Sequence, residues 1–271
     1  MAQVLRISRR NARFQQWGAL LKNRNKRQRA GEFLVHGVRP ISLAVQQGWD
    51  IKALLYDADR SLSSWARELL DTSRGHRVAM VGELLRELSE KEQDTPEIIA
   101  VVALPSDDFA RISVGPDFLG VVFDRPSMPG NIGGVVRSVD AFGGSGLVIT
   151  GHSSDPYDPK SVRASTGSLF SVPVVRSASH REVIEWVAQQ RVATPELQVV
   201  GTDEHGTDTL SQVNLQVPTL LVVGNETSGL SAGWKEACDV MASIPMSGTA
   251  SSLNAASAAT VALYEAVRQR G

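Results

Sequence analysis

The chain has 271 residues, 42% of them hydrophobic and 21% charged, with a formal net charge of −1. At about 150 residues per domain the length corresponds to one large or two modest domains, and the composition excludes collagen-like, low-complexity and wholly disordered classes. No apolar run approaches the roughly 18 residues needed to cross a bilayer, and MAQVLRISRR at the start holds no apolar signal segment, so a cytoplasmic protein with no membrane contact is expected. The single cysteine, Cys238, cannot close an internal disulfide. His36, His76, His152, His180 and His205 lack metal-ligand spacing, so no metal site is expected.

The small net charge hides an asymmetry. Residues 1–31 carry nine Lys or Arg and no acid, whereas the rest carries 19 bases against 29 acids, so +9 faces −10. A basic arm of this kind neutralises phosphates and draws a polyanion towards a body that would otherwise repel it, which makes nucleic acid the natural partner. A solvated basic helix and an Arg-rich transit peptide are the other readings; Ser8 is the only serine before Ser42, which weighs against the transit peptide.

In chain order, residues 31–49 run from a short apolar stretch into helical spacing at Val38, Ile41, Leu43, Ala44 and Val45. IKALLYD (51–57) reads as a buried strand. Amphipathic stretches at 62–73 and 81–92 flank a weak strand at His76–Met80, and EIIAVVAL (97–104) is an apolar strand. Residues 1–105 are therefore expected to form a small α/β domain, and 106–117, which mixes Pro, Gly and Asp without periodicity, a linker. Across 118–271, strands are predicted at 118–124, 146–150, 172–176, 197–203, 218–225 and 240–246. They are continuously apolar and rich in Val, the pattern of a parallel sheet covered by helices on both faces.

Three segments of this second half could carry chemistry. In DRPSMPGNIGGVVRSVDAFG (124–143), Asn131 is placed at a helix N-cap and Arg137 further along the helix, near the strand edge where open α/β sheets bind ligands. An ordinary capped helix with a snorkelling Arg explains the spacing equally well. In LLVVGNETSGLSAGW (220–234), Gly224 and Gly229 could let backbone approach a flat ligand beside Glu226, or form a plain βα turn. Neither GxGxxG nor GxxxxGK[ST] occurs, which removes support for a Rossmann dinucleotide site or a P-loop. In IPMSGTASSLNAASAATVALYEAVRQR (244–270), Ser251 or Ser252 is expected to cap an Ala-rich helix with Asn254 in its first turn; polar residues here can be caps and nothing more.

Taken together and in this order, NIGGVVR (131–137), VVGNETSGLS (222–231) and IPMSGTASSLNAASAATVALYE (244–265) resemble the three motifs of the SpoU (TrmH-type) RNA ribose methyltransferases of the SPOUT superfamily. KSVRASTGSLFSVPV (160–174) resembles the family's connecting segment. More loosely, RNKRQRAGEFLVHGVRPISLAVQQG (24–48) and TPEIIAVV (95–102) are similar to the family's ribosomal-protein-like α/β substrate-binding domain, departing from it at TPEII, where a Gln-Gly pair is often found.

The resemblance implies a parallel-sheet SPOUT domain with a deep trefoil knot, S-adenosylmethionine as cofactor and a homodimer. It implies cofactor contacts at Thr202, Gly224, Asn225, Gly229, Ile244, Met246 and Leu253. It matches Arg137 to the catalytic arginine, and Asn131, Glu226, Ser252 and Asn254 to the polar residues around the reaction centre. RNA contacts are expected from Arg9, Arg10, Arg24, Lys26, Arg27, Arg29 and Arg39. The implied reaction is methyl transfer to a ribose 2′-hydroxyl, with 23S ribosomal RNA favoured; a transfer-RNA target and a non-catalytic RNA-binding or ribosome-assembly protein are the alternatives. A guanidinium is a donor with no acceptor, so Arg137 serves as a base only in a strongly perturbed environment and otherwise orients the nucleophile.

Overall fold

The computed structural model describes residues 5–89, 95–250 and 252–271. Its contacts divide the chain into two compact units, residues 1–105 with 157–170 and residues 106–156 with 171–271.

The first unit contains β1 (Leu5–Ile7), α1 (Ala12–Lys22), α2 (Arg24–Ala30), β2 (Glu32–His36), α3 (Val38–Gln46), β3 (Ile51–Asp57), α4 (Ser64–Thr72), β4 (His76–Met80), α5 (Gly82–Ser89) and β5 (Ile98–Ala103). The strands form one sheet in the order β1-β4-β3-β5-β2. It is mixed: β4 runs parallel to β1 and β3, while β5 is antiparallel to β3 and β2. The strands expected at 51–57 and 76–80 fall where the sequence put them. The helix expected over 81–92 is seen over Gly82–Ser89, and residues 90–92 lie outside the described residues. β1 escaped notice because three residues are too short for an alternation to register.

The basic N-terminal stretch belongs to this fold and is not a flexible arm. Asn11 caps α1 by accepting from the Phe14 amide, and Asn23 caps α2 by accepting from the Lys26 amide. Between those caps Phe14, Trp17, Leu20 and Leu21 share the inner face of α1 and are buried with Leu34, Leu55, Met80 and Leu85.

The second unit contains β6 (Leu119–Asp124), α6 (Pro129–Ala141) and β7 (Gly146–Thr150). The chain then gives α7 (Pro159–Ala164) to the first unit, where it packs against β2. It returns with β8 (Val174–Ser177), α8 (His180–Gln190), β9 (Gln198–Thr202), β10 (Asp208–Thr209), β11 (Thr219–Val223), α9 (Ala232–Ala237), β12 (Val240–Ser243) and α10 (Ala255–Arg270). All seven strands are parallel, in the order β10-β12-β9-β11-β6-β7-β8, as the unbroken Val-rich runs predict.

On one face Val122, Val148, Leu220 and Val222 pack with Trp186 of α8 and Trp234 of α9. The alternate residues Val121, Phe123, Leu221 and Val223 point the other way, and α6 and α10 pack on each other and on β6 and β11. The stretch 106–117, expected as a linker, contributes to this unit: Ile112 is buried in its core and Phe109 stacks on Trp186 at 5.3 Å between ring centroids.

Candidate active site

The site is built on the C-terminal ends of β6, β9, β11 and β12, the edge at which parallel sheets present their loops to ligands. Two helix starts differ from expectation. Asn131 is not the N-cap of α6: Pro129 occupies the first helical position, where its fixed φ and missing N–H are tolerated, so the cap is Met128 and Asn131 sits in the first turn. Likewise the cap of α10 is Asn254, whose side chain accepts from the Ala256 amide at 2.9 Å. Ser252 stands exposed before it, and Ser251 lies outside the described residues.

With Asn131 turned inward, Glu226 becomes a hub. Its carboxylate accepts from the Ser127 amide (3.0 Å) and hydroxyl (2.8 Å), and from the side-chain amides of Asn131 (2.8 Å) and Asn225 (3.4 Å). The Asn131 side-chain oxygen in turn accepts from Asn254 at 3.2 Å. Segments 95 residues apart are thereby joined through one carboxylate, and Asn131 extends the link to Asn254, 123 residues further along the chain. Burial pushes the Glu226 carboxyl up, but the bonds from Ser127 and Asn131 outweigh it and hold it below the ordinary glutamate value.

Behind this hub lies a strut that sequence reasoning missed. Asp124, 2% exposed at the end of β6, accepts from the Thr150 hydroxyl (3.0 Å), the Ser231 amide (2.9 Å) and Arg125 Nε (3.0 Å). Arg125 adopts a left-handed φ of 51°, rare for a non-glycine residue. From there its guanidinium donates to the Gly229 carbonyl (2.9 Å) and reaches the Ser228 hydroxyl (3.4 Å), while its own carbonyl accepts from Asn225 (2.7 Å). The only sequence signal was an Asp ending a buried strand.

The loop so held is tight. Asn225 and Gly229 exchange two backbone hydrogen bonds of 3.0 Å, and the Asn225 side chain accepts from the amides of Thr227 and Ser228. Gly229 carries a φ of 62°. Gly224 is needed for a different reason from the one expected: an added Cβ would collide with the backbone of Gly229 and Leu230, so the missing side chain makes room for the chain itself.

Beside the loop is a cavity of about 290 Å³ that gathers Thr202, Gly224, Asn225, Glu226, Gly229, Ile244, Met246, Ser252 and Leu253. All seven residues expected at the cofactor are among them. The cavity also holds Asp203, Glu204, His205 and Lys235, none foreseen, although Asp203 follows β9 directly at the edge where ligands bind. Lys235 pairs with Asp203 at 2.7 Å; burial raises the Asp203 carboxyl, and Lys235 together with the His205 amide more than offsets this.

Arg137 is not part of the hub or of the cavity wall. It lies more than two turns along α6, exposed, with no hydrogen bond or ion pair among the described residues. No cluster of three or more His, Cys, Asp and Glu able to hold a metal ion occurs among those residues. No helix among them is long and apolar enough to cross a membrane.

In the first unit Arg9, Lys26, Arg29 and Arg39 are exposed and Arg24 is half-buried. Arg10 is exposed but engaged by Glu87, with contacts of 2.6 and 3.2 Å. Arg27 contradicts its expected role. It is 2% exposed, its guanidinium donating to the Leu20 and Leu21 carbonyls at the end of α1 and pairing with Asp158 at 3.4 Å, so it closes a helix end and does not face RNA.

Residues 119–264 match the SpoU rRNA Methylase family, and residues 11–100 match the SpoU L30e-like domain. A 23S rRNA (uridine(2479)-2′-O)-methyltransferase from Streptomyces viridochromogenes is 61% identical over 265 residues, covering 98% of this chain and 92% of that protein. The crystal structure of the SpoU methyltransferase AviRb from the same organism, in complex with the cofactor AdoMet, is similar with a TM-score of 0.93 at 62% identity, covering 96% of this chain and 98% of that one. An AdoMet-bound rRNA methyltransferase from Sinorhizobium meliloti is similar with a TM-score of 0.86 at 28% identity, covering 98% of each chain. With both halves matched in order, and the polar hub lying where the three motifs meet, this chain belongs to the SpoU rRNA methylase family.

Proposed function

We infer that this protein methylates a ribose 2′-hydroxyl of 23S ribosomal RNA, with S-adenosylmethionine as donor. The observation that carries the reading is the hydrogen-bonded hub of Glu226, Asn131 and Asn254 beside the cavity at the strand ends, in a chain of the SpoU family. The residues present suit the donor. Met246 and Leu253, 39% and 37% exposed, stand with Ile244 at the cavity and give it an apolar wall against which a flat ligand group can lie. Asp203, Glu204 and Glu226 outnumber Lys235, which pairs with Asp203, so the cavity keeps a net negative lining that favours a cationic ligand.

When bound, S-adenosylmethionine supplies a sulfonium methyl, which passes to the ribose oxygen as the C–S bond breaks and the C–O bond forms, the hydroxyl proton leaving to solvent. The protein's part is mostly placement. Glu226 is a positioning residue: its oxygens are saturated by donors and its carboxyl is held in the charged form, which makes it a poor proton acceptor. Its work is to lock the loop before α6 to the cavity loop, and through Asn131 to orient Asn254 at the start of α10. Arg137, an exposed donor-only fork without a partner among the described residues, is suited to gripping a phosphate next to the target ribose and orienting the hydroxyl. Ser252, exposed at the cavity mouth, offers a further hydrogen bond to the nucleotide.

The deep knot and the homodimer belong to the same proposal. β11 is laid between β6 and β9, both placed earlier, and α10 then packs back on α6, β6 and β11, an order of events that suits a threaded chain. Val261 and Tyr264 stand 37% and 56% exposed on the outer face of α10, with Phe142 edge-on to Tyr264, an apolar strip that a second copy would cover. Sedimentation would report a species of twice 29.2 kDa. A ribosomal RNA substrate supports a cytoplasmic location as part of this reading.

The test is calorimetric titration with S-adenosylmethionine together with tritium transfer to a 23S rRNA transcript, the product mapped for 2′-O-methylation. Binding and a single modified ribose are expected; no affinity for the donor, with RNA present, would overturn the reading.

A further inference from the structure

The first unit has its own concavity, about 1080 Å³, between α1, α2 and the N-terminal ends of β3 and β4. Arg13 of α1, Lys26 and Arg29 of α2, and Arg74 from the loop before β4 converge on it. None of the four forms an ion pair among the described residues. Four cations aimed into one groove repel each other and raise its positive potential, a cost that a bound polyanion removes. The basic residues left out of the groove sharpen the point, because Arg27 is committed to a helix end and Arg10 to Glu87.

The groove is not uniformly basic. Glu32, half-buried at the start of β2, faces it as well, and Lys52 is committed to Asp50 at 2.6 Å. Burial pushes the Glu32 carboxyl up, with Lys52 and Arg13 pulling it down. A carboxylate in a phosphate-binding groove repels backbone but accepts hydrogen bonds from the amino and imino groups of a base edge. A duplex would offer this concavity only its convex backbone, whereas an unpaired strand can lie in it with base edges exposed.

We propose that this groove binds an unpaired stretch of the RNA substrate, its phosphates on Arg13, Lys26, Arg29 and Arg74 and one base edge against Glu32. The proposal rests on RNA being the substrate, and what it adds is the groove itself and its preference for an unpaired strand.

The experiment uses the full chain, with fluorescence anisotropy on a mixed-sequence 12-nucleotide unpaired RNA and on the same sequence as a duplex, over a salt series. The unpaired RNA is expected to bind tighter. Arg29→Glu with Arg74→Glu should weaken it at least tenfold at low salt and reduce the slope of log K against log salt by about 1.4, the value for two single-strand phosphate contacts. Arg67→Glu with Arg181→Glu, the same charge change on exposed residues that do not line the groove, should leave that slope unaltered. Glu32→Gln should keep the salt slope and change the ranking among the four homopolymers. A tighter duplex, an unaltered slope in the groove variant or an equal fall in the control variant would overturn the proposal. Tritium transfer to the 23S transcript separates the two readings. Wild-type transfer with a groove variant of unchanged KM for RNA sinks the groove alone, and absence of wild-type transfer sinks the methyltransferase reading.

Discussion

Among the described residues the cations of the groove in the first unit have no ion-pair partners, whereas the polar groups around Glu226 in the second unit are bonded to one another. The first arrangement is a field: it acts over roughly a Debye length, weakens with salt and tolerates small displacements. The second is a scaffold, in which each bond fixes a neighbour and a shift of about 1 Å can cost 100-fold in rate. Arg137 resembles the first kind while standing in the second unit, a cation with no hydrogen bond or ion pair among the described residues. That contrast suggests that whatever contacts RNA is left unpaired, and whatever places the cofactor is tied down.

The sharpest way to break this division is at Arg137. Arg137→Ala is expected to lower methyl transfer about 1000-fold while leaving donor affinity and thermal stability unaltered. Arg137→Lys should recover little, since an ammonium lacks the planar fork. Single-turnover kinetics beside calorimetry would check both, and near-wild-type transfer by the alanine variant would remove Arg137 from the reaction.

Glu226→Ala comes next. Loss of the hub should cost about 100-fold in transfer and weaken donor binding, with the salt slope for RNA unchanged. A changed slope would mean that the scaffold also contacts RNA. Arg125→Ala should be milder: losing the bonds to Gly229 and Ser228 frees the cavity loop, and donor affinity is expected to fall about tenfold, or 1.4 kcal/mol. Arg125→Gly, which relieves the left-handed φ but restores no bond, should not rescue it.

The smallest effect concerns pH. Hydrogen bonds from Arg268 and Gln269 pull the Glu265 carboxyl on α10 down to about 2 from an ordinary 4.5. A depressed carboxylate stabilises the fold fully above its unfolded value and loses that contribution as pH falls from about 4.5 to about 2. Glu265→Gln should therefore be less stable than wild type at neutral pH, by about 0.5 kcal/mol for a pair one helical turn apart. The gap should close by pH 2 in thermal melts; a gap independent of pH would assign the loss to packing.

Legibility in the sequence followed the range of the interaction. The strands at 51–57, 76–80 and 146–150 and the parallel nature of the second sheet were readable, because burial on both faces writes itself into consecutive residues. The motifs around Arg137, Gly224 and Leu253 were readable as a family pattern. The hub was readable only as a set of polar residues. That Asn131 turns inward follows from Pro129 starting the helix early, and that Asp124 and Arg125 brace the cavity loop follows from a pairing across about a hundred residues.

The basic stretch shows the same limit. Its charges were plain, whereas the helical spacing of Phe14, Trp17 and Leu21 went unread, because nothing local says that a sheet lies beneath them. Which cations stay free was not plain either: Arg27 and Arg29 are two residues apart, yet one closes the end of α1 and the other looks into the groove. The amino-acid order by itself determined periodicity, charge content and membership of a family, since all of these are local or additive. Tertiary structure alone decided which polar groups were consumed and which remained for a ligand, because a hydrogen bond forms only where distant segments are brought within about 3 Å.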